Sequence, residues 1–183
     1  MSDKNYLSIA DETGVRMTDA TIDAGQLSPT YDDILKISNV QNAVLDSCSI
    51  NSTGGNREDG VDIMRYSTHV ILSNCTVGAG QKYVFTVKGG SDLVEIRDTL
   101  ITRPGGGWER VDIDIGNYST TVPDARTGLV IIRNVKRLDG KPVRVRVGWA
   151  DRPMIVPSEG VKVLFWQSLA LKAYVWFRRH FWR

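Results

Sequence analysis

The sequence predicts an all-β chain wound as a single-stranded parallel β-helix of about five coils, ending in a short C-terminal α-helix. Three observations carry that prediction. A long segment is repeated without a gap, short alternating segments recur in the same order along most of the chain, and turn-forming clusters separate them. The coil is expected over residues 1–160, with residues 161–183 forming a capping or assembly strand and helix.

The repeat is plainest between "DDILKISNVQNAVLDSCSI" (32–50) and "DGVDIMRYSTHVILSNCTV" (59–77), which align over 19 positions at a spacing of 27 residues. In that alignment Cys48 faces Cys75 and Ile50 faces Val77. A first apolar-alternating segment recurs as "VRMTDATI" (15–22), "AVLDSCSI" (43–50), "VILSNCTV" (70–77), "VEIRDTLI" (94–101) and "VIIRNVKR" (130–137). A second recurs as "ILKIS" (34–38), "VDIMR" (61–65), "VFTVK" (84–88), "VDIDI" (111–115) and "VRVRV" (143–147). Alternation rich in Val, Ile and Thr reads as short strands, and "STGGN", "GAGQ", "RPGGG" and "LDGKP" read as turns.

Each strand matches the strand two along, at intervals of 23 to 36 residues. Hairpins give no reason for like residues to keep register over that distance. A chain returning above itself does, because equivalent side chains then stack about 4.8 Å apart. A propeller blade would need four strands per repeat where two are evident, and the leucine and asparagine spacing of leucine-rich repeats is absent. The uneven repeat length also argues against left-handed hexapeptide coils. The segment "GNYSTTVPDARTG" (116–128) is expected to leave the coil as a surface loop.

The "DGVDI…S…V.L.NC.V" cadence resembles the right-handed parallel β-helix of the pectate-lyase-like superfamily. That group includes polysaccharide lyases, polygalacturonases and bacteriophage tail-spike proteins. The likeness covers roughly residues 7–150 and implies the fold, with no catalytic residue carried over. The Gly-His-Gly signature of polygalacturonase-like enzymes is missing here.

Such a coil must protect its open end, since unpaired strand edges invite polymerisation. Residues 161–166 ("VKVLFW") are expected to complete or cover the last rung. Ser168 suits an N-cap, and "LALKAYVWFRRHFWR" (169–183) then reads as a helix with Arg178, Arg179 and Arg183 near its C-terminus. Its large apolar residues surround the axis, so contacts on more than one side are expected. Trp166, Leu169, Trp176, Phe177, Arg178, Arg179, Phe181 and Trp182 are therefore the expected assembly residues. A homo-oligomer is expected, with a trimer by analogy to tail-spikes, or else contact with other virion proteins.

The 183 residues carry a net charge of +2, which conceals an asymmetry. Residues 1–132 hold 11 Lys/Arg against 18 Asp/Glu, a balance of −7, and residues 133–183 hold 12 against 3, a balance of +9. Such a dipolar layout can steer one end toward an anionic partner. The start "MSDKNYLSIADETG" has no basic stretch followed by an apolar run, so no signal peptide is expected and synthesis in the cytoplasm is the reading. If the chain is phage-encoded, its destination is the virion. No apolar run approaches the roughly 18 residues that span a bilayer.

Two cysteines, Cys48 and Cys75, are expected to stack as small core side chains rather than to form a disulfide. With only His69 and His180, a zinc site or Cys-His catalytic pair lacks material, and no metal or cofactor is expected. His69 is expected as a solvated polar residue in a turn. The best catalytic candidates are Asp62, Asp112 and Asp114. If Val61, Ile63, Val111, Ile113 and Ile115 point inward, these aspartates point outward, with Phe85 on the rung between. Strand geometry places Asp112 and Asp114 about 7 Å apart and Asp62 roughly 10 Å away, and paired acids at such separations suit inverting glycoside hydrolysis. Trp108 and the "RPGGG" turn would supply a sugar platform, with Arg110 as a further substrate-binding residue.

Arg133, Lys136, Arg137, Arg144 and Arg146 form a basic column, but aromatic residues do not interleave with it, so nucleic acid is not the expected partner. The expectation is a non-enzymatic structural or adhesive β-helix, a component of a bacteriophage particle that can contact surface polysaccharide. The competing expectation is a small polysaccharide lyase or glycoside hydrolase using the aspartate face. Docking of the aromatic-cationic helix on a membrane is a third reading.

Overall fold

The computed structural model describes residues 6–24, 32–51, 59–78, 82–106, 110–116, 126–148 and 154–165, and within them the chain is an all-β parallel solenoid. The first coil contains β1 (Leu7–Ala10), β2 (Arg16–Thr18) and β3 (Thr21–Asp23). The second contains β4 (Leu35–Ser38), β5 (Gln41–Asp46) and β6 (Ser49–Asn51), and the third β7 (Val61–Met64), β8 (Thr68–Ser73) and β9 (Thr76–Gly78). The fourth contains β10 (Phe85–Val87), β11 (Asp92–Arg97) and β12 (Leu100–Arg103), and the fifth β13 (Ile113–Ile115), β14 (Leu129–Arg133) and β15 (Lys136–Arg137). The chain then adds β16 (Val143–Val147), β17 (Met154–Pro157) and β18 (Val161–Phe165).

These strands stack into three sheets. Sheet A runs β1-β4-β7-β10-β13-β16-β18, sheet B runs β2-β5-β8-β11-β14-β17, and sheet C runs β3-β6-β9-β12-β15. The pairings between named strands are all parallel, from Leu7 opposite Leu35 to Val147 opposite Phe165. The segment 161–165 thus extends sheet A beyond β16. The expected helix from 169, all eight expected assembly residues from Trp166 onward, and most of the 116–128 loop lie outside the described residues.

Each coil has three strands where the sequence showed two. The eight-residue segments are each broken by one residue in the left-handed region, at Asp19, Ser47, Asn74, Asp98 and Asn134, with φ between 48° and 55°. Asp and Asn tolerate that conformation better than other side chains, which accounts for a polar residue at this position in every coil. Neighbouring corners are also tied together. Asn74 Nδ2 donates to Asp46 Oδ1 at 2.9 Å, and Asn134 Nδ2 donates to Asp98 Oδ1 at 2.8 Å. Hydrogen bonds from Ser73 and Asn74 hold the Asp46 carboxyl below its ordinary range.

The core is a set of apolar columns. In sheet A, Leu35, Val61, Phe85, Ile113 and Val145 succeed one another in register, as do Ile37, Ile63, Val87, Ile115 and Val147. Sheet C stacks Ile22, Ile50, Val77 and Ile101. The five residues expected to point inward, Val61, Ile63, Val111, Ile113 and Ile115, are buried. In β5 the alternation places Ala43 and Leu45 in the core, while Val44 between them is half-buried and faces outward.

Two expectations about register are corrected. The ungapped alignment at 27 residues holds in sheet B, where Ala43 meets Val70, but in sheet A the partner of Val61 is Leu35, one residue on from Ile34. An extra residue in the Arg65–Tyr66 corner absorbs the difference, and both residues take positive φ. Phe85 likewise points into the core opposite Val61 and Ile113, so Thr86 is the outward residue between the aspartates. A one-residue slip exchanges the two faces of a strand, and here it places Phe85 inward and Thr86 outward.

The corner analysis predicts a rank order at Asn74, whose φ is 54°. Asn74→Gly keeps the backbone accessible and loses one exposed hydrogen bond, so stability should fall by no more than about 1 kcal/mol. Asn74→Val forces a β-branched residue into the left-handed region and should cost roughly 2 kcal/mol or more. Urea unfolding followed by circular dichroism measures both, and equal costs would remove the role assigned to the corner.

Candidate functional site

The expected aspartates occupy the outward side of sheet A, but that side is itself buried. Strands β4, β7, β10 and β13 are buried along their whole length, unlike the strands of sheet B, which alternate. Following the register, one outward column reads Lys36, Asp62, Thr86, Asp114 and Arg146. Asp62 and Asp114 therefore share a column two rungs apart, about 10 Å by strand spacing. Asp112 belongs to the neighbouring column, where its backbone N–H donates to the Arg144 carbonyl at 2.9 Å.

All three carboxylates are closed by partners. Arg146 grips Asp114 with two hydrogen bonds, Nε to Oδ1 and Nη2 to Oδ2, each at 2.7 Å. The same guanidinium donates to the Tyr83 hydroxyl at 2.6 Å and lies 5.0 Å from the centre of its ring. Asp112 is completely buried and accepts from the Gly105 N–H at 3.2 Å, the Arg144 N–H at 2.9 Å and Arg137 Nη1 at 3.2 Å. Asp62 is 2 % exposed and meets Lys88 Nζ at 3.1 Å. The acids point outward but are not accessible: a general acid or base must reach the proton it moves, and these carboxyl groups are buried, with Asp112 and Asp114 on protein donors and Asp62 Oδ2 on Lys88.

A second acidic group, not anticipated from the sequence, lies at the entrance to β4 and β7. Asp33 and Asp59 are each 2 % exposed, the Asp59 N–H donates to Asp33 Oδ1 at 3.2 Å, and the Thr86 hydroxyl donates to Asp59 Oδ2 at 2.6 Å. Burial, reinforced by the charges of Asp62 and Asp59, pushes the Asp33 carboxyl up to about 8, against the opposing pull of Lys88 and Lys36. Burial alone would lower the Lys88 ammonium, but Asp62, Asp59 and Asp33 outweigh it and raise its pKa. The sequence carried a signal for this cluster. Asp33 and Asp59 are equivalent once the 26-residue register of sheet A replaces the apparent 27.

Arg110 falls elsewhere, in a cationic cleft near the C-terminal end of the stack. The cleft has a volume of about 660 Å³ and gathers Arg103, Arg110, Arg137, Lys141, Arg144 and Lys162. Arg137 stands in register with Ile101 at the end of an apolar column, and its guanidinium turns to Asp112 and Asp139. Its hydrogen bond to Asp139, with the charge of buried Asp112, raises the Arg137 pKa against the effect of burial. The wall is close-packed at Gly105, where a Cβ would lie 1.9 Å from the Val111 carbonyl oxygen. Trp108, the expected sugar platform, lies outside the described residues.

Cys48 and Cys75 are free, buried thiols, stacked as expected. Burial pushes the Cys75 thiol up to about 11, which removes the thiolate needed for nucleophilic chemistry at neutral pH. His69 is exposed within β8, with Nδ1 at 3.1 Å from the Thr68 hydroxyl. No cluster of three metal-ligating side chains occurs among the described residues, and no described helix is long and apolar enough to cross a membrane. Compared with known proteins, the chain matches no family model, no curated protein and no solved structure.

The acidic cluster predicts a pH dependence of stability. Between the ordinary carboxylate range and about 8, folded Asp33 holds a proton that the unfolded chain has released. The folded state binds more protons there, so stability should fall as pH rises from 5 to 8, by at most about 1.4 kcal/mol per unit. The Lys88 effect has the opposite position: its stabilisation is present below the ordinary lysine pKa and lost only above it. Urea unfolding at pH 5, 6, 7 and 8 should show the decline in the parent chain and a flatter profile in Asp33→Asn. Superimposable profiles would contradict the assignment.

Proposed function

We propose that this chain is a non-enzymatic structural or adhesive β-solenoid, a part of a bacteriophage particle of the tail-spike, fibre or decoration type. The observation that carries the non-enzymatic half is the closure of Asp62, Asp112 and Asp114 by Lys88, Arg137 and Arg146 on a buried sheet face. A glycosidase working through these residues would need one carboxyl free to meet the glycosidic oxygen and another free to meet water or the sugar. The virion half is supported by the cadence of strand residues, similar to that of right-handed β-helices of the tail-spike and pectate-lyase type, and by the apolar C-terminal sequence. In this reading residues 165–183 make the contact with other copies or with neighbouring virion proteins. Surface polysaccharide is the ligand that an adhesive member of such a particle would touch.

The test is incubation of the full chain with a panel of capsular and acidic polysaccharides, followed by assay of reducing ends and of unsaturated products. No turnover is expected. Release of either product that disappears in Asp112→Asn or Asp114→Asn, with the fold intact by circular dichroism, would overturn the proposal.

A further inference from the structure

Arg144 and Lys162 are register partners on β16 and β18, at the end of sheet A. Like charges directly opposite on neighbouring strands repel, and among the described residues the column offers them no free carboxylate. The preceding residue of that column, Asp112, is already committed to Arg137, to the Gly105 N–H and to the Arg144 backbone N–H. Arg110 adds a further cation to the same cleft from an exposed position with φ of 50°, a left-handed geometry that arginine rarely adopts. Among the described residues, the side chains of Arg110, Arg144 and Lys162 have no carboxylate partner.

The remaining wall defines the ligand chemistry. Arg137 is held in place by Asp139, at 2.9 Å from Nε and 2.7 Å from Nη2, and Lys141 Nζ lies 3.8 Å from the same carboxylate. Arg103, Pro104, Gly105, Gly106 and Pro142 supply the other described surface, so no described aromatic ring offers a platform for a neutral sugar. Guanidinium groups pair bidentately with tetrahedral oxyanions, while lysine acts as a point charge. We infer that this cleft binds a ligand carrying two or more phosphate or sulfate groups, with Arg110, Arg144 and Lys162 as the cations that neutralise them. The inference is independent of the virion reading, since it needs only the cleft.

The test is isothermal titration of the full chain with sodium tripolyphosphate and, separately, with dextran sulfate, at two sodium chloride concentrations. Binding to either probe supports the site, and the probe that binds distinguishes a phosphorylated ligand from a sulfated chain. Binding should weaken at the higher salt. It should also fall roughly tenfold or more in Arg144→Gln/Lys162→Gln, as expected for loss of charge-assisted contacts. Arg133→Gln, whose side chain is outside the cleft and 61 % exposed, should leave affinity unchanged. No binding of either probe, undiminished binding by the double variant, or equal binding of carboxylate-bearing polygalacturonate would overturn the inference. Tighter binding of a duplex oligonucleotide than of both probes would also overturn it and mark a nucleic-acid surface instead.

Discussion

Each interior strand of this solenoid shares its hydrogen bonds with the strands one coil before and one coil after, so the chain must turn each corner at a matching place. The left-handed residues at Asp19, Ser47, Asn74, Asp98 and Asn134 meet that requirement. They rotate the backbone from sheet B to sheet C at one repeat position, and the side-chain bonds Asn74–Asp46 and Asn134–Asp98 link successive coils there. A second set at Asn42, His69 and Leu93 produces the same kink near the start of β5, β8 and β11. Once the corners coincide, apolar residues stack into dry columns, and burial of each Ile, Leu or Val contributes about 1.5–3 kcal/mol.

The same stacking dictates where charges can go. On the buried outward side of sheet A, a charged residue meets the rung above or below before it meets solvent. Opposite charges must then be supplied from nearby rungs, as Arg146 is to Asp114 and Lys88 to Asp62. Such pairs add little net stability over apolar residues of equal shape, but losing one partner leaves an uncompensated buried charge and costs about 3–5 kcal/mol. They therefore fix register more than they stabilise. Among the described residues sheet A ends at β18, where Arg144 and Lys162 meet no acidic rung beyond them, and the cationic cleft results.

The sequence revealed the parallel coil because like residues recur at constant order, a pattern that only stacking explains. It concealed the third sheet, because one left-handed polar residue inside "DSCSI" or "SNCTV" does not interrupt the apolar alternation on either side. It also concealed the slip at Arg65–Tyr66, since Ile34, Leu35 and Ile37 can each pass for the inward residue of β4, and all three are fully buried. The aspartates of sheet A do point outward, but in that sheet an outward residue is not an exposed one. Alternation records which side a residue takes and says nothing of what covers that side. The acid cluster of Asp33 and Asp59 and the grouping of Arg110 with Arg144 and Lys162 depend on register across 26 to 52 residues. Local spacing cannot supply it.

The claim that the aspartates of sheet A serve the stack rather than a reaction is tested most directly by a double-mutant cycle on Asp114 and Arg146. Urea unfolding of the parent chain, Asp114→Asn, Arg146→Met and the double variant gives the coupling between the two side chains. If the pair closes the sheet face, each single change should cost about 3 kcal/mol or more, and the double should cost well below the sum, with a coupling of roughly 2 kcal/mol. Additive single effects, with a coupling near zero, would show that Asp114 is not committed to Arg146 and would reopen it to chemistry.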